Sequence, residues 1–120
     1  MSMINQDINA LIIDDELDTC FLLSRVLKKY GIQSLIAHSL KEGFEKLISD
    51  KPKLVFLDNN LPDGLGIDQI QKIKSEFPNV KLVMITAMSA LKEKALLLGA
   101  NFFIEKPLDL SKIKLVLTFK

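Results

Sequence analysis

Asp14, Asp15 and Glu16 follow the run NALII, Asp58 follows LVFL, Thr86 follows LVMI and Lys106 follows FFIE. A carboxylate at the end of a buried strand is costly to desolvate unless something pairs with it. Aspartates gathered in one place also repel, so either some stay protonated or a cation joins them. Oxygen-only ligands select a hard ion, and a site with few protein ligands that keeps its waters suits Mg²⁺. With a cation on the cluster, one carboxylate is left as a nucleophile, and covalent aspartyl-phosphate chemistry is open to it. Lys106 and Thr86 would then hold the oxygens of a transferred phosphoryl group. Taken singly, any of these residues is a turn or cap residue, because Asp and Asn often open turns.

These positions are far apart in the chain, so the fold has to gather them. Runs 8–14, 32–37, 53–58, 80–86 and 101–105 read as strands, and helical patterns separate them. Leu17, Phe21, Ser24 and Leu27 are predicted to share one helical face, and Leu40, Phe44 and Leu47 another. Ile67, Ile70 and Ile73 repeat at helical spacing. Gly31 can end the first helix, Ser89 can cap the fourth and Gly99 end it, and Asp109 or Ser111 can cap the fifth. Alternating strands and helices with short links imply an α/β fold, a doubly wound five-stranded parallel sheet with helices on both faces. In such sheets ligands bind beyond the carboxyl ends of the strands. The candidate residues all arrive at that rim.

The 120 residues suit one domain, 1–120, without linker or repeat. With 48% hydrophobic and 26% charged residues the chain can build a core, and a net charge of +1 draws neither nucleic acid nor anionic membrane. No apolar run reaches the roughly 18 residues of a membrane span. Cys20, the single cysteine, has no internal disulfide partner, which fits a reducing cytoplasm, and its apolar neighbours mark it as a core residue.

The segments LIIDDE, LVFLDNNLPDGLG, LVMITA and FFIEKP, in this order and spacing, resemble the receiver domain of two-component response regulators. The resemblance covers residues 8 to about 119. It implies a flavodoxin-like (βα)5 receiver with strand order 2-1-3-4-5, an order stated for this superfamily in general. By resemblance Asp58 is the phosphoacceptor, taking a phosphoryl group from the phosphohistidine of a sensor histidine kinase or histidine phosphotransfer protein. Asp15 and Asp58 would ligate Mg²⁺ directly, with the Asn60 carbonyl, and Asp14 would act mainly through water. Lys106 and the Thr86 hydroxyl would hold phosphoryl oxygens, and the N–H groups of Asn60 and Ala87 would cradle the others. The resemblance also implies a cis Lys106–Pro107 peptide, a loop shaped by Pro62 and Gly66, and a switch formed by Thr86 and Phe103. Relatives often carry tyrosine at Phe103, so an output that needs a phenol hydroxyl is not available here.

Other residues are read more plainly. Glu16 caps the first helix or adds to the acidic field, with a direct metal role as the third alternative, and His38 is structural or exposed. Asn60 and Met88, two past Asp58 and two past Thr86, are the positions that flank the attacking water in this family, and apolar Met88 predicts a long-lived phosphoryl group. Leu115, Val116, Leu117 and Phe119 crowd the last helix, so some are expected to pack on a second copy, an output domain or another partner through the strand-five/last-helix face. The chain is either a stand-alone receiver or the N-terminal fragment of a longer regulator, with transcription one candidate output. It is read as a signalling module rather than an enzyme. Two alternatives remain, a haloacid-dehalogenase-like Mg-dependent phosphatase and a docking module in a phosphorelay. The phosphatase would want Asp-x-Asp after strand one, where Asp14-Asp15-Glu16 stands. A nucleotide binder would want a glycine-rich first turn in place of DDELD.

Overall fold

The computed structural model describes residues 9–118; Ile8, which opens the first predicted run, and Phe119 lie outside them. Five strands form one parallel sheet: β1 (Asn9–Ile13), β2 (Gln33–Ala37), β3 (Leu54–Asp58), β4 (Lys81–Thr86) and β5 (Phe102–Glu105). Their spatial order is β2-β1-β3-β4-β5, as expected. Five helices alternate with them: α1 (Leu17–Lys29), α2 (Leu40–Asp50), α3 (Ile70–Glu76), α4 (Lys92–Leu98) and α5 (Leu110–Thr118). Asn60–Leu61 and Gly64–Leu65 make a small antiparallel hairpin between β3 and α3.

Successive strand side chains point to opposite faces, and the core divides accordingly. Leu11, Ile13, Val55, Leu57, Leu82 and Met84 pack with α2, α3 and α4. Ala10, Ile12, Leu54, Phe56, Val83 and Ile85 pack with α1 and α5. Both faces of β3 are covered, which is why its sequence runs apolar without alternation.

The predicted face of α1 is corrected. Cys20, Leu23, Val26 and Leu27 are buried, whereas Leu17 and Phe21 are 72% and 63% exposed. This helix carries apolar residues on two stripes, and the stripe that meets Ile12 and Phe56 is the one that packs. Ser89 does not cap α4 with its side chain; it opens a short 3-10 turn, Ser89–Leu91, that leads into the helix. Ile67 likewise sits in a 3-10 turn, Gly66–Gln69, yet it is buried with Ile70 and Ile73 as its spacing implied. Gly31 has φ +76° after α1 and Gly99 has φ +120° after α4, both left-handed positions that favour glycine. Asp109 caps α5 by accepting from the Lys112 N–H at 2.9 Å.

Candidate functional site

Strand parity explains how the charges meet. Asp14 continues the alternation of Ala10 and Ile12, Asp58 that of Leu54 and Phe56, and Lys106 that of Ile104, all on the α1/α5 side. The ladder extends past β1, because the Asp14 N–H donates to Ala37 O at 3.0 Å. It extends past β5 too, with the Lys106 N–H on Thr86 O at 2.9 Å, and the Lys106–Pro107 peptide is cis. Thr86 and Phe103 belong to the opposite parity, the α4 side, where Phe103 is half-buried against the core.

Behind Asp58 the backbone folds back tightly. The Gly66 N–H donates to Asn59 O at 2.8 Å, and the Ile67 N–H to Asn59 Oδ1 at 3.0 Å. A Cβ at residue 66 would lie 2.1 Å from the Asp58 carbonyl oxygen, so only glycine fits. Asp63, in the tip of the hairpin, accepts from the Leu40 and Lys41 N–H groups at 2.8 and 2.9 Å and so joins this loop to the start of α2.

At the rim Lys106 Nζ is 3.1 Å from Asp14 Oδ2 and 3.2 Å from Asp58 Oδ1, and it also bonds Glu16 Oε1. Asp14, Glu16 and Asp58 each bring a carboxylate oxygen within 4.8 Å of the other two, the group that could hold a metal ion among the described residues. Asp14 is fully buried, and its Oδ2 makes no hydrogen bond of good geometry beyond the nearby ammonium. Burial and then the neighbouring charge of Asp14 push the Asp58 carboxyl up to about 6. Burial likewise raises Asp14, against hydrogen bonds from the Glu16 N–H and Lys106. Glu16 is shifted the other way, down, by its hydrogen bond with Lys106. Burial alone would lower Lys106, but its bonds to Glu16 and Asp14 and the charges around it outweigh burial and hold the ammonium on. Three carboxylates against one shared ammonium leave a negative surplus, part of it on the buried Asp14 Oδ2. Such a surplus marks a site that fits a hard cation.

A cleft of about 210 Å³ opens over this cluster, lined by Asp15, Glu16, Asp58, Asn60, Thr86, Ala87 and Lys106. Expected residues from the ends of β1, β3, β4 and β5 therefore share one opening. A sequence profile described as response regulator receiver domain matches residues 10–118. The chain belongs to that family. It is 37% identical over 107 residues to the response regulator protein PilR of Pseudomonas aeruginosa, covering 88% of this chain and 24% of PilR. It is 34% identical over 115 residues to the acid tolerance regulatory protein ActR of Rhizobium meliloti, covering 92% of this chain and 58% of ActR. The chain thus spans about a quarter to about three fifths of these relatives. A two-component response regulator from Clostridium difficile superposes with a TM-score of 0.84 at 29% identity, covering 92% of each chain.

The close acidic group of the receiver domain differs from the expected ligand set at Asp15. Asp15 is exposed and lines the cleft, but its carboxylate is not part of the close group; Glu16 is. Glu16 occupies the residue before α1 without capping the helix through its side chain. Its own N–H donates to Asp14 Oδ1 at 2.8 Å while its carboxylate reaches Lys106. Of its expected roles Glu16 therefore joins the acidic group rather than capping the helix, and the Asp63 contacts were not foreseen. Each has its partner far along the chain, where local spacing carries no information. Thr86 is buried, with its Oγ1 accepting from the Met88 N–H at 3.1 Å. Cys20 is buried beneath the site and points its thiol at Asp14 O, 3.4 Å away. His38 is exposed, with Nδ1 3.1 Å from the same carbonyl.

Proposed function

We propose that this receiver domain takes a phosphoryl group onto Asp58 from the phosphohistidine of a sensor histidine kinase or histidine phosphotransfer protein. The observation that carries this reading is the Asp58 carboxylate at an open cleft, 3.2 Å from the Lys106 ammonium and grouped with two further carboxylates. In the transfer an Asp58 oxygen forms a bond to phosphorus as the phosphorus–nitrogen bond breaks, and the leaving imidazole keeps the electron pair and takes up a proton. Lys106 is close enough to follow the charge from Asp58 Oδ1 onto the phosphoryl oxygens, and the Thr86 hydroxyl would bond another. Asn60 and Ala87 line the cleft, and their N–H groups would hold the rest. Asp14, Asp15, Asp58 and the Asn60 carbonyl would hold Mg²⁺. When bound, the ion would neutralise the carboxylates and the entering phosphoryl charge.

Phosphorylation would draw Thr86 and Lys106 toward Asp58 and shift Phe103, which shares a face with Thr86. The domain would act as the receiving part of a signalling pathway in the cytoplasm. Its output, transcription being the candidate, would lie in a longer regulator or a partner docked on the β5/α5 face, where Leu115 is exposed. Among the described residues no helix is long and apolar enough to cross a membrane.

Asp58→Asn keeps the shape of the side chain and removes the nucleophile. With Mg²⁺ and acetyl phosphate, wild type should gain one acid-labile, hydroxylamine-sensitive phosphoryl group and the variant none. Equal labelling of the variant, or full labelling of wild type in chelator, sinks the assignment. Continuous release of phosphate from many esters would favour the phosphatase instead.

A further inference from the structure

We infer that Glu16 is a positioning residue that holds Lys106 at the acidic rim of the unphosphorylated domain and competes with the phosphoryl group for it. The inference deepens the proposed role of Asp58 and rests on that reading. Lys106 can be shared among Asp14, Asp58 and Glu16, but the three carboxylates are not alike. Asp14 and Asp58 are buried, with side chains fixed by the strand ends, whereas the Glu16 side chain is 63% exposed and Lys106 only 13%.

Glu16 reaches Lys106 from the solvent side, over the cleft that both residues line. Its Oε1 also accepts from the Thr19 hydroxyl, in the first turn of α1, at 3.4 Å. Its own N–H is tied to Asp14 Oδ1, which fixes the backbone from which it reaches. An exposed glutamate can swing back into water at small cost, so the contact restrains the lysine without sealing it in place. Lys106 has a finite number of donors, and each one given to Glu16 is one withheld from a phosphoryl oxygen. Release of Glu16 would therefore accompany acceptance of the phosphoryl group, and the residue after the paired aspartates would tune how readily this receiver switches.

Two variants and two measurements test this. Glu16→Gln removes the charge and Glu16→Ala removes the contact. In the ligand-free protein, hydrogen exchange at the Lys106 ammonium, read by side-chain ¹⁵N NMR, should quicken in both, more so in the alanine variant. Unchanged exchange overturns the contact. With saturating Mg²⁺, beryllofluoride should bind the two variants about two- to five-fold tighter than wild type, the scale of one exposed ion pair. In a Lys106→Ala background the same Glu16 changes should leave beryllofluoride affinity unaltered. Weaker binding in both backgrounds would overturn the inference and make Glu16 a contributor to metal affinity. Wild type that binds no beryllofluoride at all would defeat the phosphoacceptor reading, while the exchange measurement would still decide the Glu16 contact separately.

Discussion

Met88 follows Thr86 by two residues and is 47% exposed, with Sδ 3.8 Å from Asn59 Nδ2. A thioether has no donor and is a weak acceptor, so it cannot orient a water for attack on phosphorus. Withholding a positioned nucleophile keeps the barrier high. The phosphorylated domain should therefore lose its phosphate slowly, and Met88→Glu should shorten the lifetime several-fold. Timing the decay of both proteins in the same Mg²⁺ buffer checks this; an unchanged rate removes Met88 as a gate. The place of Met88 beside the site was legible in the sequence because it depends only on a short, fixed offset from Thr86. The Glu16 contact was not, because its carboxylate joins the acidic group through a lysine at the far end of the chain.

At the level of elements, the strands were readable because a parallel sheet buried on both faces leaves continuous apolar runs, and because each site residue comes at a run's end. The inward face of α1 was not, since Leu17 and Phe21 match helical spacing as well as the buried stripe does. Neither was the start of α2. Ser39 caps it locally, accepting from the Glu42 N–H at 3.1 Å, but Asp63 from the loop after β3 satisfies the Leu40 and Lys41 N–H groups. Those two bonds hold the Asp63 carboxyl below its usual value. A depressed carboxyl contributes stability that is present above its unfolded value of 3.8 and lost as pH falls through its lower folded value. Asp63→Ala should accordingly melt a few degrees below wild type at neutral pH, with the gap closing in strong acid. Coincident melting curves at pH 7 would show that the cap is not needed. Because the same loop follows Asp58 and carries Asn60, the variant also tests whether α2 steadies the Asp58 carboxylate.

Across the whole molecule, the sheet delivers its buried charge to one rim and leaves the rest of its core apolar: Asp14 and Asp58 are the buried carboxylates among the described residues. Folding without a cation therefore works against itself at that rim. Burial and Asp14 push the Asp58 carboxyl from 3.8 up to about 6, so the folded state binds that proton more tightly than the unfolded chain does. A raised carboxyl favours folding fully below the unfolded value, and that contribution is lost as pH rises from about 4 through about 6. A shift of this size corresponds to about 3 kcal/mol. Solvent at the open cleft reduces it to about 1–2 kcal/mol. At pH 7.5 without divalent ions, Asp58→Asn should thus be more stable than wild type by about that amount, and the advantage should shrink below pH 4. Adding Mg²⁺ should raise wild type more than the variant, since a ligand stabilises the state that binds it. Urea denaturation of both proteins across this pH range, with Mg²⁺ and with chelator, measures each part. A wild type as stable as the variant at pH 7.5 in chelator would mean that Lys106 already compensates the acidic rim, leaving no electrostatic demand for a cation.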